Sequence, residues 1–553
     1  MTIDSFSILQ IRFIMICLFT VFGSVLGQSA HSDVSSASSA KASIGGTVRD
    51  ASTGQPLGNA RLTIENISPP PTATTDSEGR YIFRDLGPGR YSLRATHPNA
   101  GNLSMNRLAF LRAGQEIVDE DFEMTQPAVL IGRVFDDRKR PLGGVTVTPR
   151  SLSYMREVLG HWPEGSATTN QDGEFRLDGL KPGREYLLVA ADRSAVSVAP
   201  GWLDVPAKPA EVLARTYYPN SPVAEGVQAI VLRPGEIREG ADFRMVLQPA
   251  ACQTGVIVGG PSTELELSVE SADPLPGWRV PVGKGKTNTK GEFTVCGLSR
   301  GRFQVRAVHY TEPTQPPLFG AAEFEIPSRA EEALRVPLTP AISVVGEVVW
   351  AEESRPNVDR PTVRLVMRPE QRDNYVGESI EVTTPVPGEF SWPNLLTEAY
   401  RLQLYSLPRG VYAKSISYGM SNPLIEPFRV GDAMGAARVH IVLACDGAYV
   451  RAHVIDAKSQ AVRDAMVVVF PEKLALESDM ARWVNPFPTA SGGLAVSSTL
   501  PPGRYRILAV TGETQTTPAF IRRLFELRSK AVDVELASGA VKDVTVKAVV
   551  PMQ

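Results

Sequence analysis

Along most of the chain apolar and polar residues alternate with a period of two, the spacing of strands that bury one face. Tyr81/Phe83 and Tyr91/Leu93/Ala95 show it, and Gly, Pro, Asp and Asn stand between such runs, where tight turns belong. Five stretches repeat one arrangement: DSEGRYIFRDLGPGRYSLRA (76–95), NQDGEFRLDGLKPGREYLLVA (170–190), TKGEFTVCGLSRGRFQVRA (289–307), PGEFSWPNLLTEAYRLQL (387–404) and SGGLAVSSTLPPGRYRILA (491–509). In each, a glycine (Gly79, Gly173, Gly291, Gly388, Gly493) comes just before an inward position at Tyr81, Phe175, Phe293, Phe390 or Leu494. A second aromatic follows about a dozen residues after that glycine, at Tyr91, Tyr186, Phe303, Tyr400 and Tyr505. The pattern predicts a hairpin whose two strands carry one inward aromatic apiece, with glycine supplying the tight connection.

Upstream of each hairpin stands another strand pair, from GGTVRDASTGQPLGNARLTI in the first unit to AHVIDAKSQAVRDAMVVVF in the last. Downstream, Gly114 to Phe122, Gly235 to Phe243 and Gly431 to Val439 predict a closing strand pair in units one, two and four. The repeats are roughly 95 to 120 residues apart, too long for solenoid coils of about 20 to 45 residues. The expectation is therefore an all-β chain: a tandem array of about five antiparallel Greek-key β-sandwiches, over 43–125, 126–249, 250–340, 341–445 and 446–553. Units two and five carry insertions, 151–169 and 471–490, each compatible with a helical turn ending in an aromatic. Near the C-terminus, TPAFIRRLFELRSKA (517–531) predicts a short amphipathic helix, capped by Thr517 and opened by Pro518, with Phe520, Ile521, Leu524 and Phe525 on one face.

The order G-x-V, a polar turn with P-L, a strand, then D-x-x-G-x-Y/F and L-x-P-G-x-Y, resembles carboxypeptidase regulatory-like domains. Unit one carries it at Gly46, Val48, Pro56, Leu57 and Ala60, then Asp76, Gly79, Tyr81, Leu86, Pro88, Gly89 and Tyr91. Unit two carries it at Gly132, Val134, Pro141, Leu142 and Val145, then Asp172, Gly173, Phe175, Leu180, Pro182, Gly183 and Tyr186. Unit four departs from the pattern, with Pro387 in the first turn and Leu396-Thr397-Glu398 in place of Pro-Gly. The resemblance implies transthyretin-like (prealbumin-like) sandwiches, grouped in fold with starch-binding-like and collagen-adhesin B-type modules. It also implies an accessory module of a secreted bacterial protein without a peptidase, and by itself it names no function.

An apolar run behind Arg12, residues 13–27, predicts a secretory signal over 1–27, and the Ser/Ala-rich stretch 28–42 predicts a linker. That run is too short to span a bilayer, and no second membrane segment follows it. The reading is a chain secreted to the periplasm, cell envelope or exterior. Removal of the leader leaves Cys252, Cys296 and Cys445. Cys252 and Cys296 are a disulfide candidate in an oxidising compartment, and Cys445 is left as a buried thiol or an intermolecular link.

Composition changes the picture mainly by exclusion. The 553 residues are 43% hydrophobic and 21% charged with net charge −3, which fits globular domains and disfavours a nucleic-acid binder. The six histidines lack the H-E-x-x-H or C-x-x-C context of a zinc site, no G-x-S-x-G elbow occurs, and GKGKT at 283–287 lacks the earlier glycine of a phosphate loop. No cofactor or metal is expected. Asp119-Glu120-Asp121 reads as a solvated charge run rather than a calcium site, and Asp76, Asn170 and Asp172 as turn caps. Candidate ligand contacts are the loop aromatics Trp162, Trp483, Trp202, Tyr217 and Tyr218, set against the alternative that each tucks over its own sandwich. The function expected is a non-enzymatic binding or interaction scaffold with a carbohydrate or an envelope protein as partner. The alternative is a carbohydrate-binding array that uses the loop aromatics, and a hydrolase without a motif ranks last.

Overall fold

The computed structural model describes residues 41–98, 104–155, 158–192, 196–202, 211–272, 279–310, 316–327, 333–351, 361–370, 380–431, 438–474, 480–481, 483, 487–511 and 516–549. The expected leader over 1–27 and most of the expected linker over 28–42 lie outside the described residues. Five sandwiches follow one another along the chain, the first four as pairs of facing sheets and the fifth with its strands linked into one seven-stranded sheet, each closed around its own apolar cluster. The chain is an all-β tandem array of sandwiches with one short helix near its C-terminus.

The first sandwich sets the pattern. In one sheet Ala42–Asp50 is central, antiparallel to Arg80–Leu86 and parallel to Phe122–Met124. In the other, Thr72–Thr74, Arg61–Ile64, Gly89–Thr96 and Ser104–Leu111 pair antiparallel in that order. Parallel closure of the last strand on the first recurs in all five, as in Phe243 on Val134, Val336 on Ile257, Val439 on Gly346 and Val541 on Tyr449.

The expected hairpins are corrected by this topology. Arg80–Leu86 and Gly89–Thr96 do not pair; they lie in opposite sheets, so the short connection is an arch that crosses the core. Alternation is satisfied either way, because both strands bury one face. In the first four sandwiches a bulge stands just before the arch, where the register shifts between Ala42 and Ile44, Leu177 and Leu180, Ala251 and Cys252, and Ile342 and Val344. Each bulge holds a left-handed residue: Asp85 at φ 60°, Gly179 at 76°, Gly297 at 78°, Asn394 at 60°. Such a residue adds local twist and turns the strand end toward the other sheet.

Across the arch the second aromatic locks the turn. Tyr91 Oη donates to Gly87 O at 2.7 Å and Tyr505 Oη to Pro501 O at 2.9 Å. Tyr186 Oη accepts from Lys181 N at 2.9 Å, and Tyr400 Oη accepts from Leu396 N at 2.9 Å. Unit four thus keeps the clamp although its Pro-Gly is gone. Burial pushes the Tyr186 and Tyr505 hydroxyls up to about 12.

Within the first sheet a glycine lies opposite the first aromatic in four sandwiches: Gly46 and Tyr81, Gly132 and Phe175, Gly255 and Phe293, Gly346 and Phe390. A Cβ on Gly255 or Gly346 would stand 2.2 or 2.3 Å from the facing ring, and on Gly46 2.3 Å from the Glu120 carbonyl oxygen. In the fifth sandwich the pair is Ala452 and Ala495, so the small residue goes with the absence of a ring.

Two details depart from the sequence expectation. Ser197–Pro200, placed by repeat spacing in the second sandwich, pairs with Glu292–Leu298 and so adds an edge strand to the third. The insertion in unit two holds no helical turn; Thr146–Met155 runs on as a strand and pairs with Val158–Pro163. In unit five, Met480, Ala481 and Trp483 are helical. The C-terminal helix Pro518–Leu527 forms as expected, with Thr517 accepting from Phe520 N, and buries Phe520, Ile521 and Leu524 on the outer face of Met466–Pro471. That cover explains why the latter strand is apolar on both faces.

Gly46→Ala is expected to destabilise the first sandwich by about 1 to 3 kcal/mol, because the new methyl meets backbone rather than a movable side chain. Gly87→Ala, with nothing within 4 Å, should stay within about 0.5 kcal/mol of wild type. Amide hydrogen exchange over residues 42–111 reads both; equal protection in the two variants would remove the close approach as a constraint.

Candidate functional site

The turns that carry the repeat are built by short polar side chains. Asp76 Oδ1 accepts from Glu78 N and Arg80 N, Asn170 Oδ1 from Asp172 N and Glu174 N, and Asn288 Oδ1 from Lys290 N and Glu292 N. The residue before each is a buried threonine that sequence reasoning missed. Thr75 Oγ1 accepts from Ala60 N at 2.9 Å and donates to Leu57 O at 2.6 Å, and Thr169 and Thr489 repeat both bonds. The signal was in the sequence of the first three units as a Thr-Asp/Asn pair before the turn glycine, at Thr75-Asp76, Thr169-Asn170 and Thr287-Asn288. These groups are structural, so the site has to be sought elsewhere.

The loop aromatics do not converge. Trp162 is 5% exposed and its Nε1 donates to Ser153 O at 2.9 Å within the unit-two hairpin. Trp483 is half-buried, edge-on to Tyr505 at 6.5 Å. Tyr218 is half-buried and edge-on to Phe243 at 5.5 Å, and Tyr217 is 2% exposed. Trp202 is 45% exposed, with Nε1 donating to Gly255 O at 3.1 Å. Trp162 therefore offers no open face to a sugar ring, because the ring is buried and its donor is already used within its own hairpin.

Cys252 and Cys296 face each other across the sheet of the third sandwich and are joined as a disulfide, with Cα atoms 4.1 Å apart. This bond sits beside the bulge of the one arch whose second aromatic, Phe303, has no hydroxyl. Cys445 is a partly buried free thiol against the core of the fourth sandwich.

Of the acidic run Asp119 is exposed as expected, but Glu120 and Asp121 are not solvated. Glu120 is wholly buried with Arg107 Nη1 3.9 Å away, and Arg107 reaches Asp464 of the fifth sandwich at 2.7 Å. Asp121 accepts from Thr47 N at 2.7 Å and Thr47 Oγ1 at 2.9 Å, and from Arg463 of the fifth sandwich at 3.2 Å. Burial raises the Asp121 carboxyl, but the Thr47 and Arg463 bonds outweigh it and hold it below the ordinary value. Two crossed Arg–Asp pairs thus tie the fifth sandwich to the first. The second sandwich joins the same end: Tyr154 N donates to Thr516 O at 2.7 Å, and its ring packs with the apolar face of the C-terminal helix. Between the fourth and fifth, Gly410 N donates to Tyr449 Oη at 2.5 Å and Tyr412 Oη to Asp446 at 3.1 Å.

A cleft of about 410 Å³ lies between the second and third sandwiches. Four arginines line it, Arg150, Arg215, Arg300 and Arg302, against the two carboxylates Asp192 and Glu325. Of the five aromatic candidates, only Tyr217 reaches it. Among the described residues no group of three or more His, Cys, Asp and Glu side chains gathers to hold a metal ion, and no helix is long and apolar enough to cross a membrane.

Residues 43–125 match the family model of the carboxypeptidase regulatory-like domain. No curated protein matches the chain. Among solved structures it is similar to a streptococcal ancillary pilin (13% identity, 54% of this chain and 99% of that one, TM-score 0.20). It is also similar to the major pilin subunit of Bacillus cereus (11%, 76% and 99%, 0.14) and to two B repeat units of the collagen binding protein of Staphylococcus aureus (11%, 70% and 94%, 0.13). Likenesses of that size carry nothing about what this chain binds.

Removing the disulfide with Cys252→Ala/Cys296→Ala opens a loop of 44 residues and is expected to cost the third sandwich about 2 to 4 kcal/mol. Exchange protection should fall over 292–309 and stay unchanged over 42–111; equal protection in the two forms would show that the cross-link adds nothing to this arch.

Proposed function

We propose that the chain is a non-enzymatic scaffold of the cell envelope or exterior, which holds five sandwiches in a fixed, closed arrangement and presents their free loops and edges to a partner. The observation that carries the reading is the return of the fifth sandwich to the first and second. Arg107, Asp121, Arg463 and Asp464 pair across that junction, and Tyr154 docks on the terminal helix. A string of independently moving modules has no use for such contacts, whereas a spacer of defined shape depends on them.

A carbohydrate array built on loop tryptophans loses support from the burial of Trp162; Trp202 keeps an exposed face. Enzymatic turnover on a broad hydrolase panel, abolished by a single point substitution, would overturn the scaffold reading.

The closed arrangement is testable by small-angle scattering of the full chain. Asp464 sits at φ 58°, where Asn is tolerated, so Arg463→Gln/Asp464→Asn removes the charges without disturbing the backbone. The radius of gyration is expected to rise in this variant, and in wild type as salt is added. Asp121 has a lowered folded value, so its contribution is present above the ordinary carboxylate range near 3.9 and is lost as pH falls through that lower value. Wild type should therefore open under acid. A scattering curve unchanged by the variant, by salt and by acid would show that the junction is not what holds the shape.

A further inference from the structure

The third sandwich is open along one side, and a strand from outside its own repeat closes it. In the fourth sandwich the corresponding edges, Ile380–Pro385 and Gly388–Leu395, meet directly. In the third, Ser197–Pro200 stands between Arg279–Lys286 of one sheet and Glu292–Leu298 of the other and touches both. It pairs antiparallel with the latter, from Ser197 opposite Cys296 to Pro200 opposite Phe293. Just past the strand, Gly201 N donates to Glu292 O at 3.0 Å, Thr294 Oγ1 to Gly201 O at 2.8 Å, and Trp202 Nε1 to Gly255 O at 3.1 Å.

The opposite wall is shaped to this strand. Gly283 and Gly285, the two glycines of the GKGKT run, lie across from the buried residues Val269 and Leu267 on the neighbouring strand, so they share the core-facing side. A Cβ on Gly283 would stand 2.8 Å from Val196 Cγ1, and one on Gly285 2.6 Å from Val198 Cβ. Both valines pack against the core of the third sandwich and supply the side chains that its own edge strand lacks there. The slot therefore suits an extended, uncharged segment with β-branched residues two apart and Gly-Trp behind them, which is what VSVAPGW (196–202) provides.

This segment belongs to the second repeat, yet among the described residues it pairs with no strand of the second sandwich. The chain leaves that sandwich after Glu185–Ala191 and forms a strand with it again at Thr216–Tyr217. The same segment from a second copy would restore every bond that it displaces, so exchange costs no contact and is decided by concentration.

We propose that the third sandwich is a strand-accepting groove and that its partner is a second copy of this chain, whose segment 196–202 replaces the resident one and joins the copies by reciprocal exchange. The inference is independent of the Arg–Asp contacts between the first and fifth sandwiches.

Two full-length variants test it by sedimentation velocity. Val196→Asp/Val198→Asp spoils the donor and keeps the groove, while Gly285→Val fills the groove and keeps the donor. Each is expected to be monomeric at micromolar concentration, and their equimolar mixture to form a one-to-one dimer. In wild type the resident strand competes at an effective concentration on the order of mM, so dimers should appear as the protein approaches that range. A second readout serves if Gly285→Val fails to fold, as checked by circular dichroism. The labelled peptide VSVAPGW should bind the donor variant saturably, at least about tenfold tighter than it binds wild type. If the donor variant loses amide protection over 292–298, the peptide should restore it. A mixture of folded variants that stays monomeric, a peptide that binds both proteins alike or neither, or protection that the peptide fails to restore would each overturn the proposal.

Discussion

The sandwiches depend on how closely the first strand of each can be approached. Gly46, Gly132, Gly255 and Gly346 have no side chain, so an aromatic ring or the backbone beside the closing strand can lie directly against the main chain. That contact places Tyr81, Phe175, Phe293 and Phe390 at the centre of the core and lets the last strand pair parallel to the first. The arch to the second sheet then needs a left-handed residue at one position, met by Asp85, Gly179, Gly297 and Asn394. Where the ring is absent, at Ala452 and Ala495, two small side chains fill the same space.

Much of this was legible because it repeats. Strand positions, inward aromatics, the turn-capping roles of Asp76 and Asn170, and the terminal helix all follow from alternation, spacing and cap chemistry. The arches were not legible from alternation, since a period of two says which face is buried and is silent about which sheet the strand joins. A local signal existed in the Asp-Leu, Gly-Leu, Gly-Leu and Asn-Leu pairs that end those strands, together with the tyrosines whose hydroxyls close the turn. Thr75 and its equivalents were overlooked because a threonine beside a turn reads as surface polarity until its two backbone partners are seen.

The candidate site was less legible, and the reason is physical. Glu120 and Arg107 belong to one sandwich while Arg107 pairs with Asp464 of another, and no periodicity records contacts between units separated by hundreds of residues. A buried ion pair of this kind adds little net stability against an apolar substitute, yet losing one partner strands the other charge, so the pair favours one docking register over others. The same holds for the cleft: Arg150 and Arg215 come from the second repeat and Ser271 and Arg300 from the third, and only the docking of the two brings them together.

The edge strand Ser197–Pro200 makes the repeat boundary and the folding boundary different places. A fragment begun at residue 250, where the sequence repeat restarts, would leave the outer edge of Glu292–Leu298 with unpaired N–H and C=O groups, inviting another chain to add there. In the intact protein that edge is already occupied by a segment that leaves the preceding sandwich after Glu185–Ala191 and returns to it at Thr216–Tyr217. Strand donation from one repeat to the next thus covers that edge against another chain, and because the donor lies inside the second repeat, the second and third repeats are inherited as a pair.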